Sequence, residues 1–128
     1  MKAPRWVQPT VVLALQERLV AEFGGEPGLR DAGLLESALA RPRHRWEYES
    51  ASLFELAAAY AFGLSRNHPF LDGNKRIAFT TAILFLELNG LRFTAAEADA
   101  VVQTLALTTG ALDEAGYAAW LRANVRKA

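Results

Sequence analysis

The run Asn74–Leu88 is the strongest constraint on how this chain can fold. At helical spacing, Ile77, Ala78, Ala82, Ile83, Phe85 and Leu86 spread around much of the circumference instead of along one stripe. A helix of that kind has to be wrapped by other elements, and the punctuation of the chain supplies them as helices. Pro9 opens one, with Val11, Val12, Leu15, Leu19 and Phe23 on a common face and Gly24-Gly25 as its stop. Asp31 caps a second, Ala32–Ala40, with Leu34, Leu35, Ala38 and Leu39 inward and Pro42 as its end. Ser52 and Glu55 form a capping box for a third, which runs toward His68. Asn89-Gly90 closes the central helix. Thr94 with Glu97 opens a fifth, to about Leu107, and Asp113 caps a sixth carrying Tyr117, Trp120, Leu121 and Val125. The expected fold is all-α: a compact bundle of about six helices, one domain over 1–128, without repeats or a dividing linker.

The bulk numbers agree. Hydrophobic residues are 52% and charged residues 22% of 128, enough apolar material for a core in a chain that buries about two-thirds of its unfolded surface. Fourteen Lys and Arg balance fourteen Asp and Glu, so there is no global field for nucleic acid; direct nucleic-acid binding is not expected, and any phosphate binding has to be local. Absence of cysteine excludes a disulfide framework, thiol catalysis and a cysteine zinc site, and it suits a reducing cytoplasm. The start, MKAPRWVQPTVV, has charge and proline where a signal peptide needs an apolar run. The longest apolar stretch, Ile77–Leu86, includes two threonines and is far short of the roughly 20 residues that span a bilayer. The expected location is cytoplasmic, with no membrane association.

One segment resists the helical reading. Residues 41–50, RPRHRWEYES, alternate charge and aromatics around Trp46 and Tyr48 between a proline and the next cap. They read either as a short flap or hairpin over a groove, or as a solvated loop with Trp46 covering the core. His44 among Arg41, Arg43 and Arg45 reads as solvated, since no second metal-type residue stands at ligand spacing.

The chemistry concentrates in Arg66-Asn67-His68-Pro69-Phe70-Leu71-Asp72-Gly73-Asn74-Lys75-Arg76, a turn held between two apolar helices. His68 supplies an imidazole, the side chain best suited to take a proton from a hydroxyl. Phe70 can anchor the turn in the core. Asp72 is a hard oxygen ligand, suited to magnesium held jointly with phosphate oxygens. Gly73 permits close backbone approach. The amides of Asn74, Lys75 and Arg76 stand at a helix N-terminus, where unpaired N–H groups attract anions, and Lys75, Arg76 and Arg66 add cations. A plain connector is the competing reading, because His-Pro followed by Asp-Gly commonly joins two helices. Against it, two cations in a first helical turn cost a few tenths of a kcal/mol to about 1 kcal/mol against the dipole, which an anion would offset.

HPFLDGNKR resembles the signature of the Fic/Doc family, His-x-Phe-x-Asp/Glu-Gly/Ala-Asn-Gly/Lys-Arg, with every fixed position filled. Residues 24–42, GGEPGLRDAGLLESALARP, are similar to the corresponding segment of Doc toxins, and the length also matches. The resemblance implies a bundle of about six helices. Fic enzymes typically transfer AMP to a hydroxyl, with a signature ending Gly-Asn-Gly-Arg-x-x-Arg. Here Lys75 stands at the second glycine and Phe79 at the second arginine. Both departures match the Doc branch, whose members transfer the γ-phosphoryl group to a threonine of elongation factor Tu and arrest translation.

On that resemblance the chain is a toxin kinase of a toxin–antitoxin module, using ATP and Mg2+. His68 acts as general base, Asp72 holds the metal, and Arg66, Gly73, Asn74, Lys75 and Arg76 bind and orient phosphates, with Lys75 and Arg76 also stabilising the transition state. Residues 41–50 would line up the target peptide. No Glu is followed by Gly or Asn, so the internal inhibitory helix of many Fic proteins is missing. The implied brake is an antitoxin whose C-terminal segment folds onto the toxin, with Trp6, Leu13 and Trp120 as groove candidates. The alternatives are an AMP transferase and a catalytically silent partner-binding module.

Overall fold

The computed structural model describes residues 2–128. Its elements are α1 (Pro9–Phe23), α2 (Ala32–Glu49), α3 (Leu53–Asn67), α4 (Asn74–Leu88), β1 (Leu91–Phe93), α5 (Glu97–Thr109), α6 (Glu114–Ala123) and β2 (Val125–Lys127). The expected all-α bundle of six helices is observed, with one small addition. β1 and β2 pair antiparallel in the register Leu91↔Lys127, Arg92↔Arg126 and Phe93↔Val125. No helix among the described residues is long and apolar enough to cross a membrane.

α4 runs over the expected residues, but the centre belongs to α3 at least as much. α3 packs against α2, α4, α5 and α6. Its Leu56, Ala57, Ala58, Ala59, Tyr60, Ala61, Gly63, Leu64 and Ser65 are all buried. Alanines and a glycine make an inconspicuous pattern, yet they let neighbouring backbones approach closely. The Tyr60 hydroxyl accepts the Val7 N–H at 3.1 Å, and Trp6 lies 5.9 Å from the Phe85 ring, so the segment before α1 is pinned to the core. Trp120 packs on Phe93 and Tyr117. Trp6 and Trp120 thus serve the core; of the three groove candidates, Leu13 is the exposed one, at 36%.

The structure corrects the expectation for residues 41–50. They are neither flap nor hairpin: α2 continues through Pro42 to Glu49. A proline inside a helix removes one hydrogen bond and costs about 3 kcal/mol. Tertiary contacts hold the far half in place. Arg41 pairs with Glu114, Arg45 pairs with Glu114 and Glu55, and Trp46 packs against the core. The carbonyl left without its donor by Pro42 is that of Ala38, and it faces Gly63, where an added Cβ would stand 3.1 Å from that oxygen.

Three smaller corrections have local causes. The Thr94–Glu97 capping box does not form: Ala96 is the N-cap, without a side-chain bond, and Glu97 turns to Arg76 instead. Val125 lies in β2, because α6 ends at Ala123. On α1 the buried file is Val12, Gln16 and Val20, while Val11 and Phe23 are exposed.

Candidate active site

The turn after α3 is built by hydrogen bonds that leave it little freedom. His68 closes α3 in the left-handed region, at φ 49 and ψ 56, a conformation for which histidine is among the better non-glycine residues. Phe70 is buried at 1% exposure. Its N–H donates to Asn74 Oδ1 at 2.9 Å and its carbonyl accepts from Asn74 Nδ2 at 3.0 Å. Arg30 staples the other end, donating from Nε to the His68 carbonyl at 2.8 Å and from Nη2 to the Asn67 carbonyl at 2.9 Å. Residues 28–31 run alongside: Leu71 N donates to Gly28 O, Arg30 N and Asp31 N donate to Pro69 O, and Leu29 bridges Phe70 antiparallel. The extended strip beside the turn therefore comes from before α2, not from 41–50.

α4 then starts without a cap. Gly73 is its N-cap at φ 76 with no side-chain bond, the first turn holds no acid, and the first backbone bond joins Ile77 N to Gly73 O. The N–H groups of Asn74, Lys75 and Arg76 are left for whatever anion sits in front of them. They open on a cavity of about 370 Å3 lined by His68, Leu71, Asp72, Gly73, Asn74, Lys75, Arg76, Phe79, Val101 and Thr104. That volume lies in the range of small-molecule sites.

Six of the seven residues singled out from the sequence line this cavity. Arg66 does not: its guanidinium lies 5.2 Å from the Phe62 ring, away from the lining. Asn74 lines it, but its side chain is committed to Phe70, so what it can offer an anion is its backbone amide. Asn74 Nδ2 also stands 3.5 Å from His68 Nδ1, at the edge of hydrogen-bond reach. Lys75 is exposed and forms no ion pair among the described residues. Arg76 is paired to Glu97, and its guanidinium sits 3.7 Å from the Phe23 ring. Phe79 makes a buried apolar wall. Thr104 is buried too, its hydroxyl 2.8 Å from the Tyr117 hydroxyl; burial pushes the Tyr117 phenol up to about 12.

Among the described residues, Asp72 supplies the one carboxylate on this lining, and with it the hard oxygen ligand. Oδ2 accepts the Glu26 N–H at 2.6 Å, and Oδ1 takes no hydrogen bond among the described residues. No group of three His, Cys, Asp or Glu among the described residues is placed to hold a metal ion. Magnesium, however, is commonly bound by one or two carboxylates together with substrate phosphates and water. A single free carboxylate oxygen next to an anion-seeking helix end fits an ion that arrives with a nucleotide.

Several residues that shape the site escaped the sequence reading: Gln16, Gly25, Glu26, Arg30 and Glu97. Only Gln16 carried a usable signal, a polar side chain at the i+4 step between the inward Val12 and Val20.

The Fic/DOC family model matches residues 6–86. Among curated proteins, the chain is 38% identical over 89 residues to Protein kinase doc of Escherichia phage P1, covering 69% of this chain and 71% of that protein. It is 45% identical over 75 residues to Toxin Doc of Mycolicibacterium smegmatis, covering 57% of this chain and 58% of that one.

Proposed function

Since the chain belongs to the Fic/DOC family and is close to the Doc toxins, we propose that it is a toxin kinase. It would transfer the γ-phosphoryl group of ATP to a threonine hydroxyl of elongation factor Tu and so arrest translation. An antitoxin, its C-terminal segment folded onto the toxin, would hold this activity in check. The observation that carries the reading is one cavity with an imidazole, a carboxylate and an uncapped, cation-bearing helix start on its lining.

The chemistry follows from those groups. The threonine oxygen attacks the γ-phosphorus while His68 takes its proton; the bond from the γ-phosphorus to the bridging oxygen breaks, and ADP leaves with that oxygen. The three amides of α4 and the side chains of Lys75 and Arg76 hold the phosphates in line and offset their charge. In phosphoryl transfer, such positioning and electrostatics supply most of the catalysis. Magnesium, when bound with the nucleotide at Asp72, would neutralise charge on the phosphate oxygens. Arg76 reaches phosphate by exchanging Glu97 for it, and phosphate is the more strongly charged partner.

Two features favour γ-phosphoryl over AMP transfer. The wall one turn after Lys75 is the phenyl ring of Phe79, so no second arginine is there to grip the α-phosphate. The Lys75 side chain also fills space that a glycine would leave to the phosphate chain. One of the two relatives is itself named a protein kinase.

The test uses purified protein, elongation factor Tu, Mg2+ and ATP labelled at either the γ or the α position. Label from the γ position on a threonine is the expected result. Label from the α position would assign AMP transfer instead. If expression arrests growth in His68→Ala as fully as in wild type, the arrest is not enzymatic and a binding module is the better description.

A further inference from the structure

A buried glutamine and a short glycine-rich loop stand directly behind Asp72. Gln16 lies in the middle of α1 at 1% exposure, between the inward-facing Val12 and Val20. Burying an amide among aliphatic side chains is unfavourable unless its polar atoms are satisfied, and here both ends are used. Nε2 donates to the Asp72 carbonyl and the Glu26 carbonyl, each at 3.2 Å, and Oε1 accepts the Gly28 N–H at 3.1 Å. One side chain therefore ties α1 both to residues 26–28 and to the turn that carries Asp72.

The same loop grips the carboxylate itself. Glu26 N donates to Asp72 Oδ2 at 2.6 Å. Gly25 lies against the Asp72 side chain at φ 117, and a Cβ added there would stand 2.9 Å from Asp72 Cβ. Asp72 is otherwise an exposed side chain on a turn, and a residue of that kind ordinarily samples several rotamers. Here one oxygen is spent on the loop, while the other takes no hydrogen bond among the described residues, on a side chain that lines the cavity.

We propose that Gln16 and the Gly24–Gly28 loop are positioning elements that fix the Asp72 carboxylate for the metal–nucleotide complex. This rests on the reading of Asp72 as the metal-holding residue given above. Outer partners that orient a ligating carboxylate commonly change metal affinity 10- to 100-fold when removed. Their loss acts through metal affinity and leaves the chemical groups intact.

The experiment measures Mn2+ binding to the protein with a non-hydrolysable ATP analogue, by the loss of the free-ion paramagnetic signal, together with the Mg2+ dependence of transfer. Gly25→Ala is the main variant, since residue 25 is exposed and no core packing is lost. Gln16→Met is the second, approximating the side-chain volume while removing the three hydrogen bonds. Both are expected to weaken Mn2+ binding and raise the half-saturating Mg2+ concentration roughly 10-fold, with kcat at saturating Mg2+ within about threefold of wild type. Melting curves confirm that the proteins compared are folded. If Asp72→Asn weakens Mn2+ binding while both positioning variants bind as wild type does, the positioning role is overturned and the reading of the site stands. If Asp72→Asn binds Mn2+ and nucleotide like wild type, the reading of Asp72 falls, and this inference with it.

Discussion

Two of the molecule's cation-bearing concavities make opposite use of their charge. One is the His68 cavity. The other, about 550 Å3, lies among α2, α3 and α6 and includes Arg41, Arg45, Phe54, Glu55, Glu114 and Arg122 in its lining. The second is larger and has three arginines on its wall, yet its charges are spent on one another. Arg45 contacts Glu114 at 2.8 Å and Glu55 at 3.0 Å, and Arg41 shares Glu114. Burial lowers the Arg45 guanidinium, but hydrogen bonding to Glu49 and the carboxylate charges of Glu114 and Glu49 outweigh it and raise the group above its usual value. Arg122 lies 5.7 Å from the Phe54 ring. Around His68 the balance differs: among the described residues Lys75 forms no ion pair, three amides have no cap, and one oxygen of Asp72 takes no hydrogen bond. Of the two cations that line this cavity, Arg76 is the one held in an ion pair among the described residues. What a concavity can bind follows from its unspent polar groups more than from its count of charges.

That contrast can be broken at either end. The largest effect is expected at the unspent end. His68→Asn removes the proton acceptor but keeps a residue that tolerates positive φ, so transfer should fall roughly 10^2- to 10^4-fold while the melting temperature moves by only a few degrees. A variant that kept full transfer would remove the imidazole from the mechanism.

At the spent end the order of effects should reverse. Glu114→Gln withdraws the shared carboxylate from Arg41 and Arg45, and leaving partly buried charges short of a partner costs roughly 1–3 kcal/mol. The melting temperature should drop by several degrees while transfer stays within about twofold of wild type. Loss of activity with unchanged stability would show that the two concavities communicate.

The smallest effect is a pH dependence of stability. Hydrogen bonding to the Ser52 backbone holds the Glu55 carboxyl below its ordinary value of 4.5; burial opposes this, and the Ser52 hydroxyl and Arg45 reinforce it. The folded value lies below the unfolded one. Glu55 therefore adds stability above pH 4.5, and this contribution is lost as pH falls through the folded value. Melting curves between pH 7 and 3 should flatten in Glu55→Gln relative to wild type, modestly, because the side chain is 45% exposed. Equal slopes would assign the acid sensitivity to other carboxylates.

Much of this architecture was legible because its signals are local. Pro9, the Asp31 and Asp113 caps, the Ser52–Glu55 box and the Asn74–Leu88 bounds each depend on residues within one turn of each other, and each is found as expected. Six of the seven candidate residues came together for the same reason: a turn of nine residues cannot scatter them far. The misreadings share a different cause. Pro42 signals a helix end, and Thr94 with Glu97 signals a helix start, but residues distant in sequence overrode both. Arg66 is next to the turn in sequence, but helical rotation carries its side chain onto Phe62.

The amino-acid sequence alone therefore determined where most helices begin and end, and which short turn carries the chemistry. Those properties depend on backbone groups and side chains a few positions apart. Tertiary structure decided which polar groups remain free. Arg41 meets a carboxylate 73 positions away, Arg76 one 21 positions away, and Gln16 reaches a carbonyl 56 positions away. Whether a charge is neutralised or a loop is held depends on what packing brings within about 3 Å of it, and no local pattern encodes that neighbour.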